Sequence, residues 1–305
     1  MIARRVLPRL ALTAIAAAVA LGGVLFAQAD QAAPPALPVP AEFVRKVREA
    51  IRLDYELQKG YTYVEKRRDV KVSSFGKVYV GPLRTFEVYP SNDPGKTYKR
   101  LIAIEGKPLD PAELARRDQE HQQSMLGELE RQKHETAAQR AAREKEDADE
   151  RRQRDAMVND AFAVFEPLVA GRETIDGEPV LVASLTPRRY VQPKTREGRW
   201  MTKFIGRVWV SETDYQIVRV DMTVRDPLTI GMGFVGRVHE GSRLVVSRRK
   251  VNNEVWLPAE LKVDASGRTL LFRPFTLDTV TTYSDYRKWS VETSVTYGAS
   301  PKSLP

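Results

Sequence analysis

The side chains best suited to catalysis are few in this chain. It has three histidines, His121, His134 and His239, and no cysteine. An imidazole can hold a metal or pass a proton near neutral pH. His121 and His134 lie 13 residues apart in a densely charged stretch. On one helix that spacing turns them roughly 140° apart about the axis, so they cannot share an ion without a bend. His239 precedes Glu240 at a turn signal, and no motif supplies it with a partner. There is no G-x-S-x-G, no H-E-x-x-H and no glycine-rich phosphate loop. Carboxylate pairs for glycoside hydrolysis are distant in sequence, and no motif points to one. The chain is therefore expected to be no enzyme, with no catalytic residue, no cofactor and no metal ligand.

What remains is binding by apolar surface. Phe204, Trp209, Met222, Met232, Phe234, Trp256, Phe272 and Phe275 are large side chains in strand-like segments. Phe162 and Phe165 stand on a short amphipathic stretch before them. Alternation forbids all of these from sharing one face: Phe204 and Trp209 have opposite parity unless a bulge intervenes. Aromatic residues on long strands more often fill a core than meet a ligand, so the expectation concerns a cavity as a whole. Its candidates are Phe162, Phe165, Phe204, Trp209, Met222, Trp256 and Phe272.

The elements that must position them begin after a leader-like segment. Arg4, Arg5 and Arg9 precede an apolar run from Leu10 to Phe26, and Ala27-Gln28-Ala29 follows. This is the three-part pattern of a secretory signal peptide over residues 1–29, and it places the chain in the periplasm of a bacterial envelope. An uncleaved anchor is the alternative reading. Lipid attachment through a cysteine is excluded, and so are disulfides. The net charge of +9 falls to about +6 without the three leader arginines, and charges of both signs are interspersed. Nucleic acid is a poor partner for such a chain. Peripheral contact with anionic lipid is more plausible.

Residues 30–40 form a Pro-rich spacer. Ala41 to Lys59 then predicts a helix, with Phe43, Val47, Ile51 and Tyr55 on one face and Gly60 at its end. From Tyr61 the period changes to two, and three strands are expected up to Asp110, with turns at Ser73–Gly76 and Ser91–Gly95. Residues 111–155 are mostly Glu, Arg, Lys, Gln, Asp and Ala. They read as a solvated, charge-paired helical insertion, or alternatively as a docking arm for an envelope partner. Met157, Ala161 and Phe165 restore an apolar stripe, and Pro167 is expected to end this short lid helix. Residues 156–295 continue as the lid helix and an antiparallel meander of about eight strands. Turns are expected at Asp176-Gly177, Glu212–Asp214, Asp226-Pro227, Glu240-Gly241, Asn252-Asn253 and Ser266-Gly267, with a long polar loop from Pro187 to Arg199 and a tail at 296–305. Val218, Val220, Met222 and Val224 are expected on one face of a strand, and Arg219, Asp221, Thr223 and Arg225 on a wet face.

A long meander with one dry face must curl or be covered. The expected fold class is α+β: a curved antiparallel sheet forming a half-open barrel, with helices packed in its mouth and a long charged helical insertion. The segment Phe204–Val224 resembles the central hairpin of the bacterial LolA/LolB-like lipoprotein-carrier superfamily. It carries Ile205-Gly206-Arg207-Val208-Trp209-Val210, an acidic turn at Asp214, and Ile217-Val218-Arg219-Val220. Val255-Trp256-Leu257-Pro258 resembles the exit of a later hairpin in outer-membrane lipoprotein-sorting-like proteins. The resemblance covers Ala41–Asp110 and Phe162–Trp289 in element order, and only the two hairpins by motif. It implies an incomplete barrel with a helical lid over an apolar cavity, and a carrier that binds a lipid, an acyl chain or a lipidated protein. The charged insertion departs from it, and no ligand-contact residue transfers by motif. The alternatives are an envelope interaction or sensor module using the charged arm and, with least support, a hydrolase.

Overall fold

The computed structural model describes residues 39–89, 97–230, 236–270 and 272–288, with backbone alone at 52–56 and 230. The expected signal peptide, residues 30–38 of the spacer, the Ser91–Gly95 turn, Met232, Phe234, Trp289 and the tail lie outside these residues.

Helix α1 (Ala41–Gln58) presents Phe43, Val44, Val47 and Ile51 to the core. Its other face carries charges paired along the helix, Arg45 bonding Glu42 and Glu49. Strands β1 (Tyr61–Val72), β2 (Val78–Tyr89), β3 (Tyr98–Ile104) and the short β4 (Lys107–Pro108) follow. Two helices come next, α2 (Pro111–Lys133) and α3 (Ala137–Val164). Asp110 caps α2 by accepting from the backbone of Ala112 and Glu113. Thr136 and Gln139 form a reciprocal capping box that restarts the chain as α3. The remainder is β5 (Phe165–Ile175), β6 (Glu178–Pro187), helix α4 (Arg196–Met201), β7 (Phe204–Ser211), β8 (Ile217–Val224), β9 (Leu228–Ile230), β10 (Gly236–Val238), β11 (Arg243–Val251), β12 (Val255–Thr269) and β13 (Arg273–Lys288).

The thirteen described strands form one sheet, in the order β4-β3-β2-β1-β13-β12-β11-β8-β7-β6-β5, with β10 pairing β12 and β9. It does not close. This is an open half-barrel of the α+β class. The pairing of β1 with the last strand, β13, joins the first strands to the meander, with Glu65 opposite Tyr283. Bulges between Arg68 and Val70, Val169 and Gly171, Trp209 and Val210, and Ser247 and Arg248 bend the strands.

Four local expectations differ from the structure. First, the lid helix is not a separate element. Residues 157–164 are the last turns of α3, because nothing between Ala137 and Val164 breaks a helix. The chain then passes from Val164 directly into β5, so Pro167 sits in an end strand of the sheet, where its missing N–H is tolerated. Second, Ser266-Gly267 is not a turn. Strand β12 runs through it to Thr269. Glycine stands at 267 because a side chain there would meet the Arg237 carbonyl and lie 2.7 Å from Phe275 Cε1. Third, residues 187–199 are not all loop, since α4 begins at Arg196. Fourth, Val218 and Val220 do not share a face. Trp209 pairs with Arg219 but Val210 pairs with Ile217, so the extra residue Val218 turns to the side of Trp209.

The insertion leaves the sheet at one end strand, β4, and returns at the other, β5. It is pinned near both. Arg100 of β3 makes a bidentate pair with buried Asp118 on α2, at 2.8 Å for each bond, and the Tyr98 hydroxyl also donates to Asp118. On α3, buried Asp160 accepts from the backbone N–H of Lys194 and Thr195 and from the Thr195 hydroxyl. Among the described residues no helix is long and apolar enough to cross a membrane.

Candidate functional site: an apolar cavity under α1

Strands β6 and β7 are buried on both faces. On one side Leu181, Ala183, Val208 and Val210 pack with Val39 and Val47. On the other, Val180, Val182, Trp209, Val218 and Trp256 form a second cluster. Helix α1 lies over the first side. It is held by a bond of 3.0 Å from the Gln216 amide to the Ala50 carbonyl and by an edge-to-face contact of Phe43 with Tyr215. Lys46 donates to the Tyr215 hydroxyl at 3.1 Å. The segment before α1 is tied to β5 by the Val39 N–H, which donates to the Pro167 carbonyl.

A cavity of about 390 Å³ remains between these elements. Helix α1 supplies Ala41, Phe43, Val44, Val47 and Ile51, and α3 supplies Ala161 and Phe162. Phe165 and Pro167 come from β5, Leu181, Ala183 and Leu185 from β6, Val208 and Val210 from β7, and Ile217 from β8. Among the described residues, Glu166 and Arg188 are the only charged ones in the lining. They are half-exposed and pair at 3.5 Å. The cavity thus has apolar walls and one polar pair, the usual composition of a site for an apolar ligand, and its size falls in the usual range.

Phe162 and Phe165 are the two expected residues that line this cavity. Phe204, Trp209, Met222, Trp256 and Phe272 do not. Trp209 and Trp256 lie in the second cluster, where each indole N–H meets a carboxylate, Glu173 and Asp214 respectively, at 2.9 Å. Met222 is buried opposite Gly206. Phe204 is half-buried at the start of β7, opposite Val224. Phe272 is 74% exposed at a turn. Most of the lining is aliphatic, so large aromatic side chains do not mark it. The α1 stripe of Phe43, Val47 and Ile51 was visible in the sequence as a buried face.

The Trp256 side is polar at its rim. Lys250 bonds Asp214 at 2.9 Å and lies 3.7 Å from Glu178. Burial pushes the Asp214 carboxyl up, but its bonds from Lys250, Ser211 and Trp256 outweigh this and hold it below the ordinary carboxylate range. A second recess of about 370 Å³ on this side is lined by Glu173, Asp176, Ser247 and three arginines, Arg219, Arg248 and Arg249, among others. Ile175, Val218 and Ala259 complete its wall. Arg248 is spent on the carbonyls of Ile217 and Trp256, and Glu173 on Trp209.

His121 stacks on Tyr98 with ring centroids 3.6 Å apart, and His134 contacts Glu130 one turn away at 3.1 Å. Among the described residues no three His, Cys, Asp or Glu side chains gather as a metal would require. Among the described residues, the cavity lining holds one carboxylate, Glu166.

No protein-family profile matches the chain, and no curated protein matches it. Two solved structures are similar to it. One is described as a DUF1329 family protein from Desulfovibrio piger. It is 14% identical, with 83% of this chain and 95% of that one covered and a TM-score of 0.29. The other is described as an outer membrane lipoprotein-sorting protein domain from Vibrio parahaemolyticus. It is 8% identical, with 80% of this chain and 92% of that one covered and a TM-score of 0.28. At TM-scores this low neither likeness carries an argument about this chain, and its functional reading rests on the cavity.

Proposed function

We propose that this chain is a binding or carrier protein of the bacterial envelope that takes a lipid, an acyl chain or the acyl group of a lipidated protein into the cavity under α1. One observation carries the reading: a cavity of about 390 Å³ with apolar walls and a single polar pair, Glu166 and Arg188. An acyl chain would replace water along those walls, at about 0.8 kcal/mol for each buried methylene. A polar head would remain beside the ion pair. The charged arm supports a second reading, an interaction module, because Met125, Leu126 and Leu129 of α2 are exposed.

The test is native mass spectrometry of the chain purified from envelope extract. The carrier reading expects an adduct of lipid mass that organic solvent releases. A chain that copurifies with no lipid and binds no apolar fluorescent probe would leave the interaction-module reading in its place.

A further inference from the structure

Two hairpin tips meet where β1 ends, a strand's length from the C-terminus of α1. Strand β1 starts beside the C-terminus of α1 and runs twelve residues away from it to Val72, a rise of about 36–40 Å. There the β1–β2 turn touches the β12–β13 turn. The Thr269 hydroxyl donates to the Gly76 carbonyl. Gly76 has a φ of +76°, and a side chain there would lie 2.8 Å from Thr269 Oγ1 and 2.9 Å from Leu270 Cδ1. The two tips are therefore one continuous surface.

This surface is apolar where a soluble protein is usually polar. Phe75 is 77% exposed and Phe272 74%, and Val72 and Tyr79 beside them are exposed too. Val72 pairs with Val78 and Tyr79 with Lys71, so these two flank Phe75 on opposite faces of its hairpin. Single exposed apolar residues are ordinary, but two phenylalanines on touching tips, flanked on both faces, make an apolar end. The charges on the tips themselves have one sign, and the next carboxylate along β1, Asp69, is paired with Arg67 and Arg84. From Val70 to Tyr79 the charged residues are Lys71 and Lys77, and from Arg268 to Arg273 they are Arg268 and Arg273, with no carboxylate in either stretch. All four are exposed, and the Lys77 ammonium sits 4.8 Å from the Tyr79 ring centroid. Aromatic residues favour the membrane–water boundary, and clustered Lys and Arg favour anionic head groups.

We infer that this end of the sheet docks on a lipid bilayer bearing anionic head groups. Phe75 and Phe272 enter the boundary between head groups and acyl chains. Lys71, Lys77, Arg268 and Arg273 meet the lipid phosphates. The inference is independent of the cavity reading, since the cavity lies against α1 at the other end of β1.

Sedimentation with vesicles tests it. One set is phosphatidylcholine alone, the other equal parts phosphatidylcholine and phosphatidylglycerol. The parent chain is expected to bind the second set, weakly or not at all the first, and less as salt is added. Phe75→Ser with Phe272→Ser should lose about tenfold or more in affinity. Lys71→Gln with Lys77→Gln should lose about thirtyfold, from about 1 kcal/mol per basic residue near the surface. Parent and variants share one N-terminus, so any contribution of residues 1–29 cancels in the comparison. Thermal melts confirm that each variant is folded, and the lysine variant keeps the test valid if the phenylalanine variant is not. A parent that ignores phosphatidylglycerol overturns the inference, as does a folded phenylalanine variant that binds as the parent does. If the parent self-associates without vesicles and the phenylalanine variant does not, the patch joins two copies and the membrane assignment falls.

Discussion

The guanidinium of Arg48, on α1, lies 4.6 Å from the ring centroid of Phe162, on the last turns of α3. This contact joins two helices whose residues both line the cavity. A cation–π contact near the surface is worth about 0.5–1 kcal/mol, which shifts a two-state equilibrium only a few-fold. It can hold the end of α3 in place and still release it. Because α3 runs directly into β5, movement of Phe162 would carry Phe165 with it.

If the cavity accepts an apolar ligand, Phe162→Ala with Phe165→Ala should alter its affinity, whereas Arg225→Ala should not. Arg225 bonds Asp226 and the Thr202 carbonyl and does not line the cavity. The parent is expected to bind an apolar fluorescent probe at micromolar concentration, about 8 kcal/mol. Fluorescence titration of the three proteins is the measurement. Equal affinities would place the probe elsewhere on the chain.

Gly206 should not accept a larger residue. A side chain there would fall on the carbonyl oxygen of Asp221 and lie 2.7 Å from Met222 Sδ. Both belong to the neighbouring strand β8, so the obstacle is the adjacent backbone and no lid helix. Gly206→Val should cost about 3 kcal/mol or more, at or above the upper end of ordinary overpacking. Urea unfolding measures it. A variant as stable as the parent would show that β7 and β8 separate easily at this point.

The sequence carried the fold further than it carried the cavity. The stripe of Phe43, Val47 and Ile51 marked α1, and the alternation from Tyr61 marked β1. The pairing of β1 with β13 was not legible, because two strands more than 200 residues apart leave no local signal. The bulge that turns Val218 toward Trp209 was hidden as well. Alternation is counted along one strand, and a bulge is a property of two.

The insertion shows a different limit. Its composition marked helix correctly but concealed why so long a helix is present. It connects opposite ends of the sheet, and Asp118, one carboxylate among many, is buried against Arg100. Near the cavity, large side chains mark filled volume. Open volume lies beside small residues, and Ala41, Ala161 and Ala183 all stand on its wall. Trp209 and Trp256 fill their own side and satisfy their indole N–H groups there.

Asp160 gives a pH dependence whose sign follows from its bonds. It is 5% exposed. Burial alone would push its carboxyl up. The Thr195 hydroxyl, the backbone N–H groups of Lys194 and Thr195, and the Lys194 charge outweigh that and hold it below the ordinary range. The folded state therefore favours the ionised form. The stability it contributes is complete above the ordinary carboxylate value of about 3.9. It is lost as pH falls through that value toward the lower folded one. Thr195 in turn caps α4 through the Gly198 N–H at 2.9 Å, so protonation loosens the junction of α3 and α4. Asp160→Asn puts an amide donor against donors and should cost about 1–3 kcal/mol at neutral pH. It should also flatten the acid limb of the stability curve. Urea unfolding of both proteins from pH 7 down to pH 3 is the measurement. If the two curves fall in parallel below pH 5, Asp160 does not carry this share of acid sensitivity.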